Sequence, residues 1–583
     1  MIYVLLGLLI GVLSALPLAL RGKLVGALVY GCFSAAVTTL LSWFFTWSTM
    51  GPLAGGFGFL LLVFWAYAAF IDKGEDTYDR RGRREHQASW IWLFPVIYGV
   101  IFAGTLIAGS AMVKATSWAS MIGTVETREW TKDIQPKDPA HMRMANRENA
   151  LYQAQKVLGS VGAVGSQFNI SEDSMTLQVI KNHLWFIVPL DYTSFSVWLE
   201  STTGAPGYIR IDGEDPHAQP EVVKFEEGQS MLYTPGAAMS FNLERHLRYH
   251  GYLDAILSDW TFEIDEMGKP WWIVSVADPT FWWSVVKVRG VVAVDPMTGA
   301  TQFHALGSAP TWIDRVVPER YVELYLDWQG AYSSGWLNSW WGRLNVTTAE
   351  RPRLIYGANG EPEFVTGITS ASAKDNSLIA LVYTNSRTGK SVRYVMKGGA
   401  TETAVLDAVD KNSQVQFKHQ HGVDPQLYNI NGMPVAVVPL LNESHAFQGV
   451  AMVPINDVQT VAVGATQYEA LRELESKLSD GSGRMAITER RDISAVNGVV
   501  DRIASEAISS GTIYYIHLRG VPHLFTAKSG ESAKLPVTSV GDRVHLQYYE
   551  SARDVVPIKS FDNVSLVLSS SSLQQRLSAE TKQ

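Results

Sequence analysis

The sequence predicts a membrane α-helical anchor of four transmembrane helices, followed by an α+β region. That region reads as tandem modules with antiparallel sheets, ending in a small β-barrel of OB or SH3 type. Three observations carry this expectation. Residues 1–113 are almost wholly apolar. A Gly-x-Pro turn running into an apolar strand pattern occurs in "MGKPWWIVSV" (267–276), "NGEPEFVTGI" (359–368) and "NGMPVAVVPL" (431–440). From residue 491 onward, short alternating strands follow one another between turn residues.

The anchor comes first. Apolar runs near 1–20, 24–47, 53–71 and 90–113 each approach the ~20 residues that cross a hydrocarbon layer. Trp43, Trp47, Trp90, Trp92 and Trp118 lie near their ends, as an aromatic belt places them. Arg21 and Lys23 fill the first connection, and Lys73, Arg80, Arg81, Arg83 and Arg84 fill the third. "STMGP", on the opposite side, has no basic residue. Positive charge stays in the cytoplasm. The reading is therefore a multi-pass inner-membrane protein with its N-terminus and large C-terminal region extracytoplasmic. Residues 1–20 lack a basic leader and a small-residue cleavage site, so a retained anchor is expected rather than a signal peptide. The spans contain no Asp, Glu, Lys, Arg or His, which argues against an ion or proton relay.

Residues 114–146 form a polar connector. A first α+β module (147–235) opens on the helical pattern "RENALYQAQKVLG". Modules follow at 236–350, 351–410 and 411–478. In the last two, a Gly-x-Pro turn and a Gly-Ala-Thr helix start recur in the same order, Thr466 with Glu469 fitting a capping box. Such recurrence predicts a stacked array. A linker (479–490), the barrel (491–568) and a polar tail (569–583) complete the chain.

"VVAVDPMTGATQF" and "LVYTNSRTGKSVRY" resemble the strand–D-x-x-T-G–strand hairpin of PepSY-type domains, small extracytoplasmic modules with a helix on an antiparallel sheet. The wider pattern, with "PTWIDRVVPER", "GATETAV", "LYNINGMP" and "GATQYEAL", is similar to large uncharacterised membrane-anchored proteins of bacteria and large phages. The PepSY resemblance implies inhibition or regulation of peptidases. The third unit departs from the motif at Asn385, and the fourth lacks the Thr-Gly turn.

Candidate chemistry is sparse. His246 and His250 share a helix face without the Glu of a zincin motif. His419 and His421 would share one face of a strand, with no third ligand apparent. Asp265, Asp295 and Asp314 sit in turn contexts that favour Asp for backbone hydrogen bonding. Cys32, the single cysteine, lies in an apolar run, and no nucleophile elbow or phosphate loop is readable. No catalytic residue, cofactor or metal is expected. Trp271, Trp272, Trp282, Trp283, Trp336, Trp340 and Trp341 are the candidate interface residues, as aromatic anchors between modules or subunits. The chain carries 56 acidic and 48 basic residues, and the barrel equal numbers of each, so no nucleic acid is expected.

The leading functional expectation is a non-enzymatic scaffold that self-assembles, as a homo-oligomer, into a larger membrane-attached complex, with membrane lipid as its other partner. Beside it stand an extracytoplasmic binding or regulatory protein for a peptide or protease, and a cell-envelope enzyme acting on glycan or peptide.

Overall fold

The computed structural model describes residues 2–20, 22–45, 51–73, 93–160, 167–200, 203–280, 285–357, 360–371, 377–479, 493–508, 511–528, 532–549 and 555–566. The chain forms two compact units, Met1–Lys477 and Leu478–Gln583.

The first unit opens on α1 (Ile2–Leu20), α2 (Leu24–Phe45), α3 (Gly51–Lys73) and α4 (Leu93–Gly109), with α5 (Ala111–Ala119) following Ser110. Three stretches are long and apolar enough to cross a membrane: Tyr3–Leu20, Leu24–Trp43 and Phe94–Ala119. In α3 the described apolar stretch, Gly58–Ala68, is shorter than a span, so three of the four expected spans stand among the described residues. Small residues let α1 and α2 approach closely: a Cβ on Gly11 would lie 2.5 Å from the Gly31 carbonyl. The Tyr30 hydroxyl donates to Phe64 O at 2.7 Å and ties α2 to α3. Lys23 sits in the turn between α1 and α2 and Lys73 ends α3, whereas Arg21, Arg80, Arg81, Arg83 and Arg84 lie outside the described residues.

After the anchor, β1 (Val125–Arg128) leads to α6 (Arg147–Ser160) and to the first sheet. In that sheet β2 (Phe168–Ile170) and β3 (Thr176–Ile180) both pair with β4 (His183–Tyr192), which α7 (Phe195–Glu200) separates from β5 (Gly207–Asp212) and β6 (Glu221–Lys224). Next, α8 (Leu243–Tyr249) precedes the second sheet, β7 (Ile256–Ile264), β8 (Pro270–Thr280), β9 (Val285–Val294) and β10 (Thr301–Ala305). The third follows α9 (Glu319–Tyr332). Here β11 (Thr347–Ala349) and β12 (Arg353–Tyr356) both pair with β13 (Pro362–Ser370), then come β14 (Ser377–Asn385) and β15 (Ser391–Ala400), with β1 parallel on the outer edge.

The fourth sheet follows α10 (Glu402–Asp410) and α11 (Ser413–Phe417). In it β16 (His421–Gly422) and β17 (Gln426–Ile430) both pair with β18 (Met433–Leu441), followed by β19 (Phe447–Pro454) and β20 (Ala462–Gly464), and α12 (Gln467–Ser479) closes the run.

These sheets share one plan: a helix, a first strand that is broken or bulged, then an antiparallel meander. In the second sheet the break is a bulge at Asp259, which has φ +54°. Of the first-strand pieces, β3 and β17 are largely buried, while β6 and β10 at the other edge of their sheets are largely exposed. Apolar alternation explains the placement: β7 and β8 put Phe262, Trp272, Val274 and Val276 into the core shared with the first sheet.

Each sheet packs on the next. Sheets one and two share the largest core, α9 lies between sheets two and three, and α10 with α11 lies between sheets three and four. Sheet four returns to the first: Asn149 Nδ2 donates to His445 O at 3.0 Å, and His217 meets Phe447 edge-on at 5.4 Å. The four form a closed circuit of contacts rather than an open row.

In the second unit, β21 (Ile493–Ile508) pairs through its first half with β24 (Arg543–Tyr549) and through its second with β22 (Gly511–Leu518). β22 pairs with β23 (Leu524–Lys528), and β25 (Val555–Asn563) pairs with β23 in parallel and with β24 antiparallel. The sequence of pairs returns to its start, around a core that includes Ile516, Phe525, Leu546 and Val556.

Candidate functional site

Two polar constellations lie inside the circuit. The first is fully buried where sheets one, two and three meet. Glu263, on β7, accepts the Asp314 backbone N–H at 2.8 Å and the Thr261 hydroxyl at 3.2 Å. Asp314, on the link from β10 to α9, accepts from Arg387 Nη2 at 2.7 Å. The Tyr356 hydroxyl lies 2.7 Å from both Asp314 Oδ2 and the Leu177 carbonyl. A tyrosine has one proton to give, so both contacts are satisfied when Asp314 is protonated and donates to Tyr356. Burial pushes both carboxyls above the usual range; the Asp314 charge adds to the rise of Glu263, while Tyr356 and Arg387 oppose that of Asp314. Gln178 stitches β3 to β7: its Nε2 donates to Ile264 O at 2.8 Å, and its Oε1 accepts the Ile264 N–H at 2.9 Å. Glu263 is wholly enclosed, and the network joins the three sheets.

The second constellation lines a cleft between sheets three and four, a cavity of about 60 Å³. Its polar wall comes from the break between β11 and β12 and from the start of α10. Thr401 caps α10 by accepting the Ala404 N–H at 3.3 Å, which fixes Glu402 in the first turn. Glu350, in the strand break, accepts the Glu402 backbone N–H, and burial followed by the Glu402 charge pushes its carboxyl up to about 7. Arg353 pairs with Glu402 and, at 2.8 Å, with Asp424, which also pairs with Arg143. The floor is apolar, with Val365, Leu378, Leu381, Ala436 and Ile455. An acid titrating near neutrality thus stands beside a carboxylate tied to an arginine, the environment in which two carboxyls divide acid and base roles.

The sequence-predicted residues fall elsewhere. Trp271 and Trp272 point to opposite faces as expected, and both are buried inside the chain. Trp271 packs with Trp312, Ile313 and Val316 and donates from Nε1 to Asp265 at 3.0 Å, while Trp272 packs on Phe262 at 5.0 Å. Trp282 and Trp283 lie outside the described residues. Trp336 is half-buried, and Trp340 and Trp341 are exposed. Asp265 and Asp295 do act in turns, accepting the backbone N–H of Met267 and of Met297 at 2.9 Å each. Asp314 does not, because Tyr356 and Arg387 draw it into the network. His246 Nε2 bonds the Gly299 carbonyl at 2.7 Å and His250 Nδ1 bonds the His246 carbonyl at 2.7 Å, so neither ring is set as a ligand. His419 has φ +51° and lies outside β16, so it shares no strand face with His421. Among the described residues no cluster of three or more His, Cys, Asp or Glu could hold a metal ion. Sequence reasoning missed Glu350, Glu402, Arg353 and Asp424. The one local signal was the Gly-Ala-Thr helix start at Gly399–Thr401.

No family model and no curated protein matches the chain. Among solved structures it aligns with a thermostable family-43 glycoside hydrolase at 9% identity, covering 70% of this chain and 97% of that one, with a TM-score of 0.16. It aligns with an α-L-arabinanase of Penicillium chrysogenum at 9% identity, covering 67% and 93%, with a TM-score of 0.15. A Trypanosoma rangeli sialidase gives 10% identity, 71% and 56% coverage, and a TM-score of 0.13. Scores this low establish no common fold, and no chemistry of this chain is argued from them. The expectation of a non-enzymatic self-assembling scaffold, with a peptide or protease regulator as its alternative, is nevertheless corrected. The aligned structures are a glycoside hydrolase, an arabinanase and a sialidase. Trp271 and Trp272, expected as anchors between modules or subunits, are both buried within one chain, Trp272 in the core shared by sheets one and two, and so leave no surface for a contact between subunits.

Proposed function

We propose that this chain is a membrane-anchored envelope protein whose cleft between sheets three and four performs acid–base work on a glycan-type linkage outside the cytoplasm. The observation that carries the reading is Glu350. Its carboxyl holds a proton near neutral pH beside Glu402, within a cleft that has an apolar floor. Proton donation to a leaving oxygen by one carboxyl, assisted by a second, is the core of glycoside cleavage. The cleft has room for a few waters or one small polar group, so a polymer would lie across its mouth and insert only the linkage region.

Topology supports the substrate class. We place four helices in the membrane and both the N-terminus and the sheets outside, where envelope glycans lie. Tyr3 and Trp43, at the outer ends of α1 and α2, pack beside residues of and just after α8, on the side of the sheets. We read the four sheets as copies of one module, with the PepSY-like resemblance resting on the hairpins around Asp295 and Asn385. We assign the C-terminal unit to the OB type because its strand order is β21-β22-β23-β25-β24, with β23 and β25 parallel.

The test is release of reducing ends from envelope polysaccharide by detergent-purified full-length protein. Glu350→Gln should lower turnover at least ~100-fold, the usual worth of a general acid, and the wild-type rate should fall above a pH near that of Glu350 ionisation. If Glu350→Gln turns over as fast as wild type, or wild type releases nothing, Glu350 only caps α10 and the acid–base reading is wrong.

A further inference from the structure

Two exposed apolar patches flank the places where membrane helices meet the sheets. The first lies beyond α9. The end of α9 packs on α5, which completes the Phe94–Ala119 span: the Trp118 ring lies 4.8 Å from Trp328 and 5.8 Å from Tyr332. Immediately past this contact, a short π-helix, Asn338–Gly342, holds Trp340 and Trp341 at 68% and 81% exposure, with Leu337 and Leu344 also exposed. Trp336 and Trp340 stack at 6.1 Å, and Trp341 stands edge-on to Trp340 at 5.9 Å. The rings support one another and turn their remaining surface outward.

The second patch lies around α8. Phe195 and Leu199, four apart on α7, are exposed, as are Met239 and Tyr249. The same α8 touches the anchor. Arg245 lies 4.8 Å over the Trp43 ring at the end of α2, and Tyr249 lines a hollow of about 430 Å³ with Tyr3, Leu8 and Trp43.

We propose that both patches seat in the interfacial layer of the bilayer the helices cross, so that phospholipid covers them. This rests on the membrane reading above. The first patch adjoins the sheet-side end of a span at Trp118; in the second, Tyr249 adjoins Tyr3 and Trp43, and α7 reaches the α8 region through Trp198 against Phe241. Tryptophan, with its apolar body and one N–H, favours the headgroup boundary. Residues 335–344 carry one charge, Arg343, and no acid, so little charge has to be kept out of the interfacial layer. The sheets would then rest on the membrane through two feet, which limits their tilt relative to the helices.

The experiment uses the full-length chain, one copy per nanodisc, with an environment-sensitive fluorophore on one cysteine and spin-labelled phospholipid as quencher. Native Cys32, exposed on α2, reports on the span. In a Cys32→Ser background, Trp341→Cys and Leu199→Cys report on the patches. Met267→Cys, at an exposed turn, is the water-facing control. Positions 341 and 199 should be quenched by headgroup-proximal label at least twice as strongly as position 267. Quenching equal to that at 267 overturns the proposal. So does a blue-shifted fluorophore that lipid label does not quench, because protein then covers the patch. If acyl-chain label fails to quench at Cys32, the membrane reading itself has failed, and this proposal with it.

Discussion

Glu263 and Asp314 are two carboxyls on one buried contact, and their protons set how stability follows pH. Burial raises both in the folded state, so the unfolded chain releases its protons first as pH rises. The stability tied to these groups is full below the ordinary carboxylate range and is lost as pH climbs through the raised folded values. Glu350, raised from 4.5 to about 7, acts in the same direction. Thermal denaturation of the full-length protein should therefore give a lower Tm at pH 9 than at pH 5. Glu263→Gln, which keeps an oxygen to accept the Asp314 N–H, should flatten that slope. A Tm that rises with pH, or an unchanged slope in the variant, contradicts this account. Legibility at this scale follows distance along the chain. Asp265 and Asp295 were readable because their donors lie within a few residues. Asp314 was not, because Tyr356 and Arg387 lie 42 and 73 residues away. Glu350 and Glu402 were invisible for the same reason.

The hairpin that opens each meander explains the Gly-x-Pro strings. Gly268, Gly360 and Gly432 adopt φ of +86°, +74° and +82°, where a side chain on Cβ is strained. The fourth sheet has the tightest form: Ile430 pairs with Met433, and Asn431 (φ +54°) and Gly432 make the two-residue loop. The first sheet has the same loop, Ile180 pairing with His183 around Lys181 (φ +52°) and Asn182 (φ +61°). The sequence did not reveal that copy, because no glycine marks it. Both positions need positive φ, and Asn-Gly is the pair that tolerates it best. Lys181→Asn with Asn182→Gly should therefore stabilise by about 1 kcal/mol, read as a later urea midpoint with an unchanged slope. An earlier midpoint would mean that Lys181 makes a contact worth more than the strain. The broken first strands were also illegible, since each break, from the single bulged Asp259 of the second sheet to residues 171–175 of the first, reads as an ordinary irregularity or loop between strands.

At the scale of the molecule, the tandem order read from the sequence leaves open how the units are joined. A tandem array can be an open row, in which each unit touches its neighbours and nothing returns to the start. In the structure the fourth sheet meets the first, and the connector adds further closing contacts: Arg143 on Asp424, Lys137 N–H to Asn429 O at 3.1 Å, and Arg143 N–H to the Tyr428 hydroxyl at 3.2 Å. A connector read as polar linker gave no sign of this, although Met142, Met144 and Ala145 within it are buried apolar residues. Closure has a thermodynamic consequence. An open row frays from its ends, with terminal modules exchanging amide hydrogens faster than central ones. A closed circuit has no ends, so β3, β8, β13 and β18 should exchange through one common opening of similar free energy. Arg143→Ala tests whether the circuit is what couples them. It leaves Asp424 paired with Arg353 and Gln426 and removes one charge-assisted hydrogen bond, a loss of about 2 kcal/mol. Hydrogen exchange by mass spectrometry should then show protection falling first in the fourth sheet and in α6, while the second and third sheets keep theirs. Uniform loss across all four sheets would mean that Arg143 supports a single core rather than a closure. Wild-type protein whose first and fourth sheets already exchange faster than the second and third would mean that the molecule behaves as an open row.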